Sequence, residues 1–254
     1  MVIRHFCIGL AIVIAGVLSS LPAGAQDPGS VPPAKFTGSL TIGASLESGS
    51  TNLDGFQLEF SGKTPYPSGD FVIGGEYKYA RTRPEGTTSH IEVANRLVLS
   101  AGIDHSFGDV PLLMFRSRFT TDEVQQIEYR FEQQLGLGAK LERGPLRVRV
   151  VPGLAFLHQD KNVLAEFGFD VYYGMFQDLT LKLTDTWSLD ERFYFRQDFS
   201  DVNDYVIESK VNLTGKITQV IGVQLSFEHN HENLLALNEV SRYQKLSAGI
   251  QINF

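Results

Sequence analysis

Arginines at two-residue spacing are the side chains of this sequence best placed to do chemistry. Arg116 and Arg118 form one such pair, and Arg147 and Arg149 form another. Residues i and i+2 of a β-strand point to the same side, so each pair would present two guanidinium groups to one surface. Such a surface favours anions in an open pore, or pairs with inward-facing acids if the space is filled. Two candidate acids lie near these pairs along the chain: Glu132 and Glu142.

Serine and histidine residues could instead form a hydrolytic centre. A lipid-hydrolysing site needs a serine nucleophile within reach of a histidine base. Ser89–His90 and His105–Ser106 are adjacent pairs. Neighbours on a strand point to opposite faces, so neither pair can cooperate by itself. We therefore predict no catalytic residue.

A metal site is the other chemistry that these residue types could support. His229 and His231 share one face of a strand and could bind a metal beside Asp201 and Asp204. The simpler interpretation is a set of polar side chains in solvated loops. The acidic pairs Asp122–Glu123 and Asp201/Asp204 fit the same interpretation, or contacts to lipopolysaccharide through divalent ions. We predict no metal site and no cofactor.

Strands with one apolar and one polar face are the elements that would position these side chains. From Phe36 onward, apolar residues alternate with polar or small ones, as in Leu135, Leu137 and Leu141 against Glu132 and Lys140. An arginine or lysine at the bilayer midplane costs ~2–4 kcal/mol, so the polar face must look into a lumen if the apolar face meets lipid. A soluble barrel would show the same pattern inside out.

The last nine residues favour the membrane. Apolar side chains at 246, 248, 250, 252 and 254 alternate with small or polar ones, and the run stops on an aromatic residue. Outer-membrane barrels end in this way because the last strand closes the barrel and faces lipid at alternate positions. The stretch also resembles the signal read by the barrel-insertion machinery. Four residues would form that signal: Ser247, Gly249, Ile252 and Phe254.

The N-terminal segment and the composition agree with export. Residues 1–25 have a basic start, an apolar core and the small-residue motif Ala23–Ala25, which indicate a secretory signal peptide cleaved near Ala25. Residues 26–35 form a Pro-rich periplasmic leader, and 36–254 form the barrel. Cys7, the only cysteine, lies in the cleaved part. The net charge of −7 argues against a nucleic-acid partner.

The alternating segments predict an all-β, antiparallel transmembrane barrel of about twelve strands, within a range of ten to fourteen. Predicted long connections are 81–89, 121–128 and 230–239, all at one end. Predicted short turns are Arg143–Gly144, Thr184–Thr186 and Gly215–Lys216, at the other end. This asymmetry is typical of outer-membrane barrels. Residues 174–178 could form a turn, but a thirteenth strand would break the parity, so one long, bulged strand is preferred.

Several segments resemble a known family. The resemblance is carried by residues 43–52 (GASLESGSTN), 182–189 (KLTDTWSL), 136–139 (GLGA) and the terminal 246–254. Together they are similar to the YdiY-like salt-induced outer-membrane proteins, a family of unknown function, over roughly 37–254. Gly49–Ser50 stands where that family usually has Gly-Asn. The resemblance implies an outer-membrane barrel linked to salt response and supplies no catalytic residues.

We therefore expect a barrel in the outer membrane of a Gram-negative-type envelope, with lipid, lipopolysaccharide and the insertion machinery as partners. Its expected role is structural, adapting the envelope to salt or osmotic stress, or that of a narrow pore. A largely filled lumen is slightly favoured, because ~12 strands lie between side-chain-filled barrels of 8 and open ones of 16. A small-solute or anion-preferring porin and an outer-membrane hydrolase are the alternatives.

Overall fold

The computed structural model describes residues 36–47, 52–83, 91–124, 127–161, 164–234 and 239–254. These residues form a closed antiparallel β-barrel of twelve strands, which confirms the predicted fold. The predicted signal peptide and leader lie outside them. The strands are β1 (Thr37–Glu47), β2 (Asn52–Tyr66), β3 (Gly69–Arg83), β4 (Ile91–Ser106), β5 (Pro111–Asp122), β6 (Ile127–Arg143), β7 (Leu146–Lys161), β8 (Leu164–Lys182), β9 (Trp187–Asp198), β10 (Tyr205–Lys216), β11 (Ile221–Leu234) and β12 (Glu239–Asn253).

The barrel closes where the first strand meets the last. β1 pairs with β12 from Ser39 opposite Asn253 to Glu47 opposite Lys245, and every other strand pairs with its neighbours in sequence. We call the end of the barrel where β1 begins and β12 finishes the terminal rim, and the opposite end the distal rim. No helix long and apolar enough to cross a membrane occurs among the described residues.

The two faces of the wall have opposite chemistry. Outward-facing Leu137, Ile250 and Ile42 are 67%, 58% and 50% exposed, whereas inward-facing Glu132 and Arg196 are each 2% exposed. An apolar outer surface around a polar interior is the inverse of a soluble protein and suits a lipid environment. The alternation in the sequence therefore marks the outside of the barrel and not a dry protein core.

Aromatic side chains border the apolar outer surface at both rims. At the terminal rim Phe254 stacks between Phe36 and Phe60, with ring centroids 6.0 and 6.5 Å away. At the distal rim Tyr173 lies against Phe199, with centroids 3.7 Å apart. Aromatic girdles at the two interfaces are a property of transmembrane barrels, so these rings mark the two edges of the lipid-facing band.

The strands are longer than the sequence suggested, and the connections are correspondingly shorter. The predicted loop 121–128 reduces to 123–126, and Asn230 to Leu234 belong to β11. Gly215 and Lys216 lie in β10, so the predicted turn there is wrong, and the chain turns at 217–220 instead. These polar strand ends line the interior: Asn230 and Asp122 are only 5% and 6% exposed. A polar residue near a strand end can therefore face the lumen within the strand, and it does not by itself mark a solvent-exposed loop.

The other connections follow the predictions more closely. The Arg143–Gly144 turn is confirmed, and Gly144 has a positive φ of 57°, which glycine adopts at no steric cost. The 184–186 turn is also present, where Thr184 Oγ1 accepts a hydrogen bond from the Trp187 amide at 3.0 Å. Residues 174–178 lie within β8 as preferred, but their pairing with β7 and β9 is continuous, so the bulge expected there is absent.

Glycines and an apolar cluster shape one side of the interior. On β6 and β7, a Cβ at Gly138 would lie 2.0 Å from the Val150 carbonyl oxygen, so only glycine permits this close approach of the two backbones. Val151 packs nearby with Leu112, Met114 and Phe176 inside the barrel. The inward face was predicted to carry only polar or small residues, and this apolar cluster differs from that prediction.

Candidate functional site

The lumen of the barrel is the candidate functional site, because ionisable side chains from opposite walls meet there. The wall strands lie in the order β1 to β12 around a closed circle, so β5 and β10, or β6 and β11, face each other nearly across the diameter. Ion pairs between such strands cross the interior space. Their positions therefore decide whether anything can pass through the barrel.

The first crossing pair joins β5 to β10. Both terminal nitrogens of Arg118 donate to the Glu208 carboxylate, at 3.2 and 2.7 Å. The Arg118 and Glu208 side chains are 27% and 24% exposed. Arg118 also lies 6.0 Å from the centre of the Tyr194 ring. A bidentate guanidinium–carboxylate contact has a fixed geometry, so this pair bridges the lumen in a defined position about midway between the two rims.

A second set of ion pairs joins β2 and β3 to β10 and β11. Lys210 donates to Glu59 at 2.7 Å and to Glu76 at 3.2 Å, and its Nζ lies 3.1 Å from Glu228. Lys78 in turn donates to Glu228. Each cation has more than one acidic neighbour, as is expected of charges removed from bulk water. The set forms a compact network of alternating charge across the lumen.

The tightest layer lies toward the distal rim, and we call it the distal layer: Arg130, Glu132, Arg196, Glu232 and Tyr172. Arg130 on β6 donates to Glu232 on β11 at 3.1 Å. Arg196 lies over the Tyr172 ring at 4.9 Å, with its nitrogens 4.0 and 3.9 Å from Glu132 and Glu232. Arg196 and Glu132 are each 2% exposed. Such low exposure means that these charged groups are largely removed from water.

A fourth group of charges holds one wall of the lumen together. Asp104 on β4 forms an ion pair with Arg116 on β5 at 2.6 Å. It also accepts a hydrogen bond from Arg149 on β7. Arg149 also donates to Asp178 on β8. Asp104 itself is 2% exposed. Two arginines therefore share one buried carboxylate, and neither presents an unpaired guanidinium to the open space.

Two cavities remain on the terminal side of the distal layer. The middle one has a volume of about 300 Å³ and the one nearer the terminal rim about 260 Å³. They share the lining residues Glu59, Ser61, Arg149, Asp178 and Arg192, so they adjoin at that level. The part of the interior nearer the terminal rim is thus hollow.

The cavity near the terminal rim has two unlike walls. One wall carries uncharged hydrogen-bonding groups, where Thr41 donates to Gln224 at 3.1 Å and Gln224 donates to Asn212 at 3.1 Å. The facing wall carries charges, among them Arg192, whose side chain is 58% exposed and whose nearest acid, Asp178, is 4.0 Å away. Hydroxyls, amides and one loosely held guanidinium suit a small hydrophilic solute.

The six predicted lumen residues separate into three groups. Arg116, Arg118 and Arg149 point inward and are ion-paired, but to Asp104, Asp178 and Glu208 and not to Glu132 or Glu142. Arg147 and Glu142 pair with each other at 3.2 Å in an exposed position, with 37% and 59% of their side-chain surface free. Glu132 lies in the distal layer, where it accepts hydrogen bonds from Tyr194 and from Gln134.

Sequence reasoning missed several acids of the lumen. Asp104, Asp178 and Glu232 carry its main ion pairs, yet the analysis did not assign them a role. Alternation could have found them. Asp104 follows the outward-facing Ile103, and Asp178 precedes the outward-facing Leu179, so both occupy the inward parity. The choice of partners could not be found, because it depends on which strands face each other across the lumen.

The candidate hydrolytic residues do not converge. His105 and Ser106 end β4 on opposite faces, and His105 Nδ1 lies 3.2 Å from the Tyr66 hydroxyl on the outer surface. His229 and His231 share a face, as predicted, but they lie in β11 and not in a solvated loop. His231 Nε2 is 3.2 Å from the Tyr205 hydroxyl. Ser89 and His90 lie outside the described residues. In the part of the chain that is described, no group of three metal-ligating side chains comes together.

The acids at the distal rim have structural roles. Asp198 Oδ1 accepts hydrogen bonds from the Ser200 and Asp201 amides at 2.6 and 3.0 Å, and Asp201 Oδ1 accepts one from the Asn203 amide at 2.9 Å. Asp204, in the 199–204 connection, is partly buried. Burial raises the pKa of the Asp204 carboxyl, with Asp198 adding to the rise and Arg196 opposing it. Asp122, expected in a solvated loop, is instead buried at the end of β5.

Solved structures of similar shape are outer-membrane channels. The NanC porin superposes with a TM-score of 0.55 at 8% identity, covering 84% of this chain and 98% of the other. The COG4313 outer membrane channel from Pseudomonas putida F1 gives 0.52 at 12% identity, covering 90% and 100%. At such identities the likeness concerns the fold alone. No curated protein matches the sequence.

The family comparison covers nearly the whole barrel. The model of the family described as "Protein of unknown function, DUF481" matches residues 40–254, from the first strand through the terminal aromatic. The match agrees with the segments from which a family of unknown function was expected. This chain therefore belongs to the DUF481 family of proteins of unknown function.

Proposed function

We propose that this protein is an outer-membrane barrel of the narrow-pore type, closed at its distal layer in the state described here. The observation that carries the proposal is that Arg196 on β9 and Glu132 on β6 are each only 2% exposed inside the barrel. A general porin needs an aqueous passage at every level. Here, the passage is interrupted by charged groups with contacts of 3.9–4.0 Å, together with the buried cluster of Ala155, Leu157 and Tyr172.

An anion-preferring porin is less well supported by the same contacts. A basic wall requires guanidinium groups that are free to meet solute anions. Arg116, Arg118 and Arg149 are instead committed to carboxylates of the lumen. Arg192 differs from these three arginines, because its side chain is more exposed. We therefore propose selectivity for small hydrophilic solutes with only a weak preference for charge.

The proposed solute class follows from the cavity near the terminal rim. Its volume of about 260 Å³ lies just below the ~300 Å³ at which drug-sized ligand sites begin. Its uncharged wall of Thr41, Asn212 and Gln224 offers both donors and acceptors. A solute with several hydroxyl groups, no larger than a single sugar, matches this lining.

The setting of the barrel is part of the proposal. We infer an outer-membrane location, with the terminal rim toward the periplasm, lipopolysaccharide around the distal girdle, and delivery by the barrel-insertion machinery. The aromatic girdles and the apolar outer face support a membrane location. The link to salt or osmotic stress implied by the sequence resemblance stays a prediction. Induction of the gene by added NaCl or by an uncharged osmolyte would test it.

Single-channel recording tests the pore. We expect the native protein to conduct far less than a control porin, and Arg196→Ala to raise its conductance, because the replacement removes the central cation of the distal layer. Glu142→Ala at the exposed rim is the matched control and should change little, because Glu142 lines neither cavity. Native conductance equal to that of the control porin would overturn the closed layer. If neither the native protein nor Arg196→Ala conducts, the proposal of a pore is wrong, and a purely structural barrel is the remaining interpretation.

A further inference from the structure

A carboxyl group stands on the lipid-facing side of β9. Asp190 points inward and accepts hydrogen bonds from Thr180 and Ser188, at 2.8 and 3.2 Å. Arg192 points inward toward Asp178. Because successive side chains of a strand alternate, Glu191 between them lies on the outer face. None of the described residues forms a hydrogen bond or ion pair with its side chain.

The nearest outward residues of Glu191, along its own strand and directly across from it, are apolar. Its register partners are Leu179 on β8 and Val211 on β10. The adjacent outward residues of its own strand are Leu189 and Phe193. Glu191 is four positions from Trp187 at the terminal rim. That separation is ~13 Å along a strand, or ~10 Å into the membrane at the usual tilt. The carboxyl therefore lies within the lipid-facing band and not at its edge.

Further polar groups accompany it at the same part of the wall. Phe193 has Gln177 of β8 as one register partner and Ser209 of β10 as the other. Both belong to the outward parity, next to inward-facing Asp178 and Lys210. Gln177 and Glu191 are thus diagonal neighbours on adjacent strands, an amide donor beside a carboxyl acceptor. Among the described residues, neither side chain has a hydrogen-bond or ion-pair partner.

Lipid tails offer these groups no hydrogen bonds, and polar residues within a membrane face protein partners as a rule. A surface that carries both a donor and an acceptor at neighbouring positions is self-complementary under a twofold axis. Two barrels inserted in the same direction would have such an axis along the membrane normal. The Gln177 amide of each could then donate to the Glu191 carboxyl of the other.

We propose that the outer faces of β8 and β9 form the contact between two copies of this chain in the membrane, centred on Gln177 and Glu191. Ser209 extends the polar part of the contact toward β10. The flanking Leu179 and Phe193 supply the packing around it. This interface is independent of whether the lumen conducts.

Disulfide trapping in native outer membranes tests the proposal on the full-length chain. Cys7→Ser removes the native thiol, and Leu179→Cys introduces one beside Glu191, close to the proposed axis. Ser117→Cys is the matched control: it is also outward-facing, but on β5, away from the β8–β9 face. Oxidation should give a species of twice the mass with Leu179→Cys and little or none with Ser117→Cys.

Substitution of Glu191 completes the test. With Leu179→Cys in place, Glu191→Leu should lower the trapped dimer several-fold, whereas Glu191→Gln, which keeps an acceptor, should retain most of it. Heat-modifiable migration checks that each variant still forms a barrel, which a leucine facing lipid should allow. Equal trapping at 179 and 117, trapping to a different protein, or no loss with Glu191→Leu in a folded barrel would each overturn the proposal.

Discussion

Replacing Arg118 by alanine should weaken the barrel. Arg118 spans from β5 to Glu208 on β10 with two hydrogen bonds of 3.2 and 2.7 Å. Without it, the Glu208 carboxylate stays in the lumen with no cation of comparable geometry. The converse replacement, Glu208→Ala, leaves the guanidinium in the same position. The double variant removes both charges and leaves neither without a partner.

The size of each effect follows from the exposure of the pair. Removing one partner of a buried ion pair typically costs ~3–5 kcal/mol. The Arg118 and Glu208 side chains keep 27% and 24% of their exposure, so water compensates part of the loss. We expect each single replacement to lower the free energy of unfolding by about 2 kcal/mol. The double replacement should cost less than the sum, with a coupling energy of about 1.5 kcal/mol.

Urea unfolding of the refolded barrel in lipid vesicles measures these free energies. Trp187 is the only tryptophan of the chain, so its fluorescence reports the transition without labelling. The matched control is the exposed rim pair, where Arg147→Ala and Glu142→Ala should each cost no more than about 0.5 kcal/mol. Planar-bilayer recording of Arg118→Ala should show no rise in conductance, in contrast to Arg196→Ala, because the distal layer stays in place.

Two results would refute this reasoning. Strict additivity of the Arg118 and Glu208 replacements would mean that the two side chains do not interact across the lumen. Equal destabilisation by Arg118→Ala and Arg147→Ala would mean that position in the barrel does not matter. In either case the Arg118–Glu208 pair could not stabilise the barrel across the lumen.

Three further outcomes are expected. Gly138→Val should prevent folding, measured as loss of heat-modifiable migration, because its Cβ would lie 2.0 Å from the Val150 carbonyl oxygen; a folded variant with native migration would contradict this. Phe254→Ala should lower the yield of inserted barrel in a cell-fractionation assay, since Phe254 stacks on two aromatic rings at the closing strands; an unchanged yield would show that the ring is dispensable. Asp204→Asn should flatten the pH dependence of stability. The folded-state pKa of Asp204 is raised by burial, so the native state holds its proton more tightly than the unfolded state. Its contribution is then most favourable below the unfolded pKa and is lost as pH rises through the folded pKa. Urea midpoints at pH 4 and pH 7 should therefore differ less in the variant than in the native protein, and an equal difference would reject the assignment.

The architecture was predictable because lipid imposes a strict rule on each strand. Leu135, Leu137 and Leu141 must face outward if Glu132 faces inward, and a period of two is read directly from the sequence. Twelve strands followed from the same alternation, and the long β8 followed from the parity of the connections. The ends of strands were less predictable. Asn230 and Asp122 are polar because they face the lumen from within a strand, and not because they lie in loops.

The partners within the lumen could not be predicted for a different reason. Alternation tells which side chains point inward, but not which strands lie opposite one another or at what height. Arg118 meets Glu208, 90 positions away, because the tilt and stagger of a closed barrel bring them to one level. The apolar cluster of Met114, Val151 and Phe176 escaped notice since it interrupts a lumen that was expected to be polar throughout.

The seam between β1 and β12 has a consequence for how the molecule assembles. Every other ladder joins strands that follow each other in sequence and can form as local hairpins, whereas Ser39 meets Asn253 only when the two ends of the sheet come together. Contacts of such high sequence separation pay a large loop-closure entropy and form slowly. Until then both edge strands expose unpaired backbone groups, which hydrocarbon does not tolerate. Crossing the bilayer should therefore be rate-limited by cyclisation of the sheet, with hairpins accumulating first at the membrane surface.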